Sequence, residues 1–351
     1  MGTAATPAPV AFGVVTGRQV HDILSAQMAD IVDLVGDTYR AHARSLASNP
    51  PSHFLRFDDR PRDRIIALMA DLRDETPVAG LKWIASWPEN VRQGMPRASA
   101  VIVLNRRDTG YPYAILEGSI ISAVRTAASA VLAAEHLRPH QARAGGKHAR
   151  IGFVGCGLIA RHVVDMFQAR GWQFDRVMAF DVTAESAAQM LRHVAARTEA
   201  ETVATCSCTD LIAASDIVVF ATTATTPHVV DTRCFDHGPL VLHVSLRDLS
   251  PAIILAANNV VDDVDHCLQA QTSAHLAEQQ VGHRDFVSGT IVDALAGRLD
   301  LDPRRATIFS PFGMGILDIA LARRVYQEAQ RRNAVHDIPH FFHDVTRWVD
   351  D

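Results

Sequence analysis

The stretch Ile151-Gly-Phe-Val-Gly-Cys-Gly-Leu-Ile-Ala160 constrains the fold more than any other part of the chain. An apolar run of strand type enters a pair of glycines and leaves as the start of a helix. Gly155 lets the chain quit the strand in a tight turn. Gly157 lets backbone approach a pyrophosphate with no Cβ in the way, and Ala160 lets the new helix lie close to a sheet. The N–H groups that open this helix, around Leu158 and Ile159, lack intrahelical partners and carry partial positive charge, which suits phosphate. A second apolar run, Val177-Met-Ala-Phe-Asp181, ends in a carboxylate at the distance a βαβ unit sets. Asp181 is placed to accept hydrogen bonds from an adenosine ribose and to repel a 2′-phosphate, which predicts NAD rather than NADP. A glycine turn in an ordinary α/β fold is the alternative. The strand before it, the helix after it and the acid beyond favour the dinucleotide.

The pattern around this stretch has the same character. Strands are expected at 151–154, 176–181, 202–205, 216–220 and 240–244, with helices at 158–170, 184–197 and 209–214 between them. Such alternation predicts a Rossmann-type, doubly wound parallel sheet. Ahead of it, residues 16–47 have helical periodicity. Short strands follow at His53–Phe57, Asp63–Met69, Gly80–Ser86, Ala98–Leu104 and Pro112–Leu116. Ser119 to Leu137 is an Ala-rich helix, and residues 138–149 form a polar connector. Helices are also expected at Ser288–Gly297 and Gly315–Arg331. The reading is α/β with two domains, a β-rich first portion and a dinucleotide-binding second portion; pattern alone leaves the last segment open.

With 351 residues, a net charge of −5 and no long run of one sign, the chain is an unsuitable partner for nucleic acid or an anionic membrane. No apolar stretch is expected to span a bilayer, and no signal pattern opens the sequence. The cysteines are odd in number and irregularly spaced, which predicts a reducing, cytoplasmic setting without disulfides. Cys206-Ser-Cys208 has no second Cys/His pair at ligand spacing, and Pro139 breaks the helical face that His136 and His140 would share. No metal site is predicted.

Several residues could carry chemistry. Lys82 interrupts the apolar strand Gly80-Leu-Lys-Trp-Ile84; a lysine there more often reaches solvent at a sheet edge, and less often is placed to hold an anion. Arg56, in His53-Phe-Leu-Arg-Phe57, raises the same question, and Arg44 and Arg97 are further candidates for holding a carboxylate. Asp248 follows an apolar run in His243-Val-Ser-Leu-Arg-Asp-Leu-Ser250. It is either a general acid or base at a strand end or the cap of a helix that begins near Pro251. Arg125 and Thr126 offer phosphate contacts, although Arg125 could equally be a surface helix residue. Thr222 and Thr223 close the strand before a nicotinamide site.

Four consecutive motifs resemble the ornithine cyclodeaminase/μ-crystallin family: Gly80-Leu-Lys-Trp-Ile-Ala-Ser86, Pro96-Arg-Ala-Ser-Ala100, Leu116-Glu-Gly-Ser119 and Ile121-Ser-Ala-Val-Arg-Thr-Ala-Ala128. With the glycine turn, the resemblance spans roughly residues 50 to 325. His53–Phe57, Ser245-Leu-Arg-Asp-Leu249 and Phe309-Ser-Pro-Phe-Gly-Met-Gly315 are most similar to the branch that makes 2,3-diaminopropionate, a siderophore and antibiotic precursor, by oxidising N-(2-amino-2-carboxyethyl)-L-glutamate. The resemblance implies a homodimer and an NAD-binding domain over 126–309. It also implies a substrate-binding and dimerisation domain built from 1–125 with 310–351, and substrate in the cleft between the two. It further implies that Lys82 and Arg56 bind substrate carboxylates, that Lys82 and Asp248 serve catalysis, and that Arg125 and Thr126 join the Gly155–Ile159 turn on the pyrophosphate. Two departures from the wider family stand out. Arg247-Asp248-Leu249-Ser250-Pro251 replaces the Asp-x-Pro-Gly-Lys type sequence of proline-forming members, and Pro311 replaces a serine, with Ser310 one position earlier. Both argue against cyclisation of ornithine.

Overall fold

The computed structural model describes residues 10–141 and 146–342; residues 142–145 of the polar connector and both chain ends lie outside them. The described chain forms two compact units. One comprises residues 10–27, 41–122 and 314–342, the other residues 28–40 and 123–313 apart from the four just excluded.

The second unit holds an eight-stranded sheet in which every pairing is parallel. Its order is Glu201–Ala204, Gln173–Phe180, His148–Val154, Ile217–Phe220, Leu240–His243, Thr307–Ser310, Asn258–Val261 and Val287–Thr290. From His148–Val154 the chain winds outward in one direction for two strands, then returns to the other side at Ile217–Phe220. Beside the reversal, the carboxyl ends of the two strands leave the crevice where open α/β sheets bind ligands. Ile217-Val-Val-Phe220 and Leu240-Val-Leu-His243 are buried at every position, as strands covered on both faces must be. Gly152 is required within its strand, because a Cβ there would come within 2.3 Å of Leu211 on the helix Cys208–Ala213.

Three strands of this sheet, Asn258–Val261, Val287–Thr290 and Thr307–Ser310, are unannounced in the sequence, since Asn, Gly, Ser and Thr interrupt the apolar run in each. Val287–Thr290 also corrects the expected helix at Ser288–Gly297. The helix runs only from Ile291 to Leu295, because the Thr290 and Asp293 side chains form a capping box that fixes its start.

The first unit has its own sheet, mainly antiparallel, with Val78–Ser86 between Arg60–Leu72 and Ala98–Asn105. Register puts Leu68, Lys82, Ile102 and Leu116 side by side on one face. That face is covered by the helix Gly315–Arg331, and all four residues are buried. The opposite face carries Leu55, Met69 and the paired Trp83 and Val101, which stay 37–48% exposed.

The helix Ser119–Leu137 corrects one expectation. With the turn to His140, it is long and apolar enough to cross a membrane by length and composition. However, 72% of that window is buried inside the protein, and Ala127, Ala128, Val131 and Leu132 are core residues.

Candidate active site

At the nucleotide end, Gly155 has φ +87°, and a Cβ there would lie 2.7 Å from the Ala221 carbonyl oxygen. Only glycine satisfies both the left-handed backbone and the closeness of the next strand's end. A Cβ on Gly157 meets nothing within 4 Å, so no protein contact explains that glycine. The helix Leu158–Ala169 starts there with no side chain capping its N–H groups. Asp181, just past the strand Gln173–Phe180, accepts from the Cys156 backbone N–H at 2.9 Å and from that of Thr183 at 2.8 Å. The acid therefore also staples the turn it is expected to serve. An uncapped helix start, a glycine with free space in front of it and an adjacent carboxylate together fit a dinucleotide. Burial, with Asp181 nearby, pushes the Cys156 thiol up to about 12, so it is no nucleophile.

Arg125 is buried on the helix Ser119–Leu137 rather than displayed on its surface, and Thr126 is half-buried beside it. A Cβ on Gly313 would stand 2.6 Å from an Arg125 guanidinium nitrogen, so the loop at Gly313 (φ +94°) closes directly over this cation. Asp262 holds that loop: its carboxylate accepts from the backbone N–H groups of Phe312 at 3.0 Å and Gly313 at 2.7 Å. Burial raises the Asp262 pKa despite these bonds. Sequence reasoning missed Asp262, which in the sequence is one acid of the pair Asp262-Asp263.

Asp248 is fully buried and does not cap a helix; Ser250 occupies the cap position before Pro251. Its Oδ1 accepts from the Thr222 hydroxyl and from His228 Nε2 at 3.0 Å. Its Oδ2 accepts from the Ser245 hydroxyl and from His243 Nε2 at 3.0 Å. Burial alone would raise its pKa, but the hydrogen bonds of His228, His243 and Ser245 and the charge of His243 outweigh it, leaving the carboxyl well below the usual range. Asp248 is thus a fixed anion. Thr222 turns toward it, whereas Thr223 is exposed. His243 Nδ1 in turn lies 3.2 Å from the Ser310 hydroxyl, which gives the serine preceding Pro311 a partner inside the protein. His243 and Ser310 line a small cavity with Ser245, Cys267, Thr272 and Phe312. The two histidines were the missed residues. The signal available was His243 opening the very stretch that contains Asp248.

In the first unit, Lys82 corrects the expectation of an edge lysine. Its strand is internal, it is 1% exposed, and its ammonium lies 2.6 Å from Asp318 Oδ2 and 3.1 Å from the Ser122 hydroxyl. Asp318, on the helix over the sheet, escaped sequence reading because one acid in an amphipathic helix carries no distinguishing pattern. Arg56 is exposed, with its guanidinium over the Phe54 ring. Register places Arg56, Arg64 and Ser86 in one row on the face that carries Lys82, and Lys82 lies four residues further along the strand. That is roughly 13 Å at the rise of a strand. Arg97 donates to the Ser86 hydroxyl at 2.8 Å, in the same row, and Arg44 is exposed away from these strands. Among the described residues, no cluster of His, Cys, Asp and Glu is arranged to hold a metal ion.

A parallel sheet wound in this order, a glycine turn stapled to the acid that ends the next strand, and a buried anion at the neighbouring strand ends define a dinucleotide-dependent oxidoreductase of the Rossmann type. The chain belongs to the ornithine cyclodeaminase/mu-crystallin family, whose sequence model matches residues 16–333. It is 31% identical to an N-((2S)-2-amino-2-carboxyethyl)-L-glutamate dehydrogenase of Staphylococcus aureus over 319 residues, 86% of this chain and 90% of that one. Among solved structures it is similar to the Δ1-pyrroline-2-carboxylate reductase of Thermococcus litoralis with NADH and L-proline. The TM-score is 0.84 at 21% identity, over 93% of this chain and 100% of that one. An archaeal alanine dehydrogenase dimer with bound NAD matches with a TM-score of 0.81 at 24% identity, over 94% and 100%.

Proposed function

We propose that the protein is an NAD-dependent dehydrogenase that oxidises the C–N bond of N-(2-amino-2-carboxyethyl)-L-glutamate and hydrolyses the product to 2-oxoglutarate and L-2,3-diaminopropionate. The observation that carries the chemistry is Asp248, a buried carboxylate kept ionised by two histidines at the carboxyl ends of the parallel strands. The choice of substrate rests on the similarity to the S. aureus enzyme.

NAD would supply the hydride acceptor. The N–H groups of the Gly155–Ile159 turn, with Arg125 and Thr126, would hold its pyrophosphate; Asp181 would hold the adenosine ribose, and Thr222 and Thr223 would border the nicotinamide. Lys82 would bind one substrate carboxylate as a buried ammonium, and Arg56, with Arg97 bonded to Ser86 of the same row, a second. Loss of hydride from the carbon α to the amine leaves an iminium. Asp248 offsets that positive charge through the groups bonded to it, and water then adds to the carbon and releases the amine. A homodimer would bury the sheet face that carries the exposed Leu55, Met69, Trp83 and Val101.

The test is to supply the purified protein with NAD+ and the conjugate and measure NADH and 2-oxoglutarate together. Equal yields of the two support the reading. NADH formed from L-alanine, or consumed with Δ1-pyrroline-2-carboxylate, while the conjugate stays untouched would replace this substrate with another of the family's.

A further inference from the structure

Asp248 is the group that C–N oxidation followed by hydrolysis needs, yet its surroundings leave it little to do directly. A carboxylate offers about four acceptor positions. Here they are taken by the Thr222 hydroxyl, His228, the Ser245 hydroxyl and His243. Of the two histidines, His243 is sealed in, with a side chain 1% exposed and its Nδ1 against Ser310, whereas the His228 side chain is 37% exposed. An ionised carboxylate only accepts, so the His228 nitrogen facing it, Nε2, carries the hydrogen, and in the neutral ring Nδ1 is the lone pair. Among the described residues Nδ1 has no hydrogen-bond partner. The backbone fixes the ring's position as well: the N–H groups of His228 and Val229 both donate to the Asp248 carbonyl, at 3.0 and 2.9 Å. His228 follows the strand Ile217–Phe220 on the loop at its carboxyl end, where a ligand meets such a sheet.

We infer that His228 moves the protons of the hydrolytic half-reaction, and that Asp248 is the anion that sets its tautomer. The inference rests on the C–N oxidation proposed above, although not on the particular substrate. As water adds to the iminium carbon, the C–O bond forms, the C=N π pair moves to nitrogen, and a water proton passes to Nδ1. His228 returns that proton to the nitrogen. The C–N bond then breaks with its electron pair on the amine, and C=O forms as the hydroxyl proton passes to Nδ1 and on to the released amine. No oxidant beyond the one consumed in the hydride step is needed.

Two variants test it in rapid mixing with NAD+ and the conjugate. His228→Gln keeps a donor toward Asp248 but cannot carry a proton, and His228→Ala opens room for free imidazole. Both are expected to release about one NADH per site in a fast phase and then turn over about 10²–10⁴-fold more slowly, the usual range for lost acid–base help. Imidazole should restore the alanine variant and leave the glutamine variant unchanged. Full turnover by His228→Gln, or a slowed first phase without rescue in both variants, overturns the inference. If the wild type makes no NADH from the conjugate, the substrate reading fails by itself, and the same series on L-alanine still decides the role of His228. A substrate-free check is the imidazole ¹⁵N spectrum of the wild type. It must show His228 with hydrogen on Nε2, and the opposite tautomer refutes the arrangement.

Discussion

Replacing Asp318 by alanine should destabilise the first unit out of proportion to the atoms removed. Lys82 and Asp318 approach to 2.6 Å with side chains 2% and 0% exposed. At an effective dielectric of about 20, charges that close attract by roughly 6 kcal/mol, a gross figure from which desolvation of both ions must be subtracted. The net cost of breaking the pair is set instead by the stranded ammonium, about 3–5 kcal/mol for buried pairs. At about 3 °C per kcal/mol for a unit of this size, Asp318→Ala should lower Tm by about 10–15 °C. Lys82→Met combined with Asp318→Leu removes both charges and keeps the volume, so it should unfold within about 1 kcal/mol of the wild type in urea. That double variant separates structure from function: it should fold and bind NAD yet lose about 10–100-fold in kcat/KM, the worth of the one charged hydrogen bond to substrate proposed for Lys82. An Asp318→Ala protein as stable as the wild type would show that Lys82 is not an internal charge.

The nucleotide end gives two further expectations. With Asp181 in the ribose-binding role proposed for it, Asp181→Ala should weaken NAD binding by about 10–100-fold in a fluorescence titration, and NADP binding should weaken less, because the same acid would repel a 2′-phosphate. Gly155→Ala forces a side chain into a left-handed turn against the Ala221 carbonyl, so it should cost about 1–3 kcal/mol of stability and abolish measurable NAD binding. Asp248 makes stability depend on pH with a defined sign. Its folded pKa is depressed, so its contribution is complete above the unfolded carboxylate pKa of about 4 and is lost as pH falls below it. In urea melts, the stability gap between wild type and Asp248→Asn should narrow steadily from pH 4 downward. A gap that widens on acidification would contradict the hydrogen bonds drawn to this carboxylate.

What the sequence revealed and what it hid divide largely along the range of the interactions. The glycine turn was legible because its requirements are local: a positive φ at Gly155, an uncapped helix start after Gly157 and an acid two elements on all fall within about thirty residues. Lys82 was misjudged because neighbouring residues cannot say whether a strand lies inside a sheet. Its partner Asp318 is 236 positions away. His228 and His243 are only twenty and five residues from the aspartate whose acceptors they fill, so range did not hide them; nothing in their spacing says which histidines of the chain turn toward that carboxylate. Asp248 itself was noticed, but the strand end suggested a group that gains and loses protons, whereas four donors make it one that holds its charge.

The stretch around Asp248 shows how one loop meets several demands. Ser245 and His243 supply donors to Asp248, Leu249 enters the core, and Ser250 stands where the next helix begins. Arg247 looks away from this anion. Its guanidinium donates to the carbonyls of Ala270 and Gln271, two residues held at positive φ, at 2.5 and 2.7 Å. The Ser273 N–H donates to the Leu246 carbonyl, and the Ser273 hydroxyl accepts from the Leu249 N–H. Residues 245–250 are therefore tied to residues 270–273 on both sides of Asp248, and the strain at Ala270 and Gln271 is held by the arginine that precedes it.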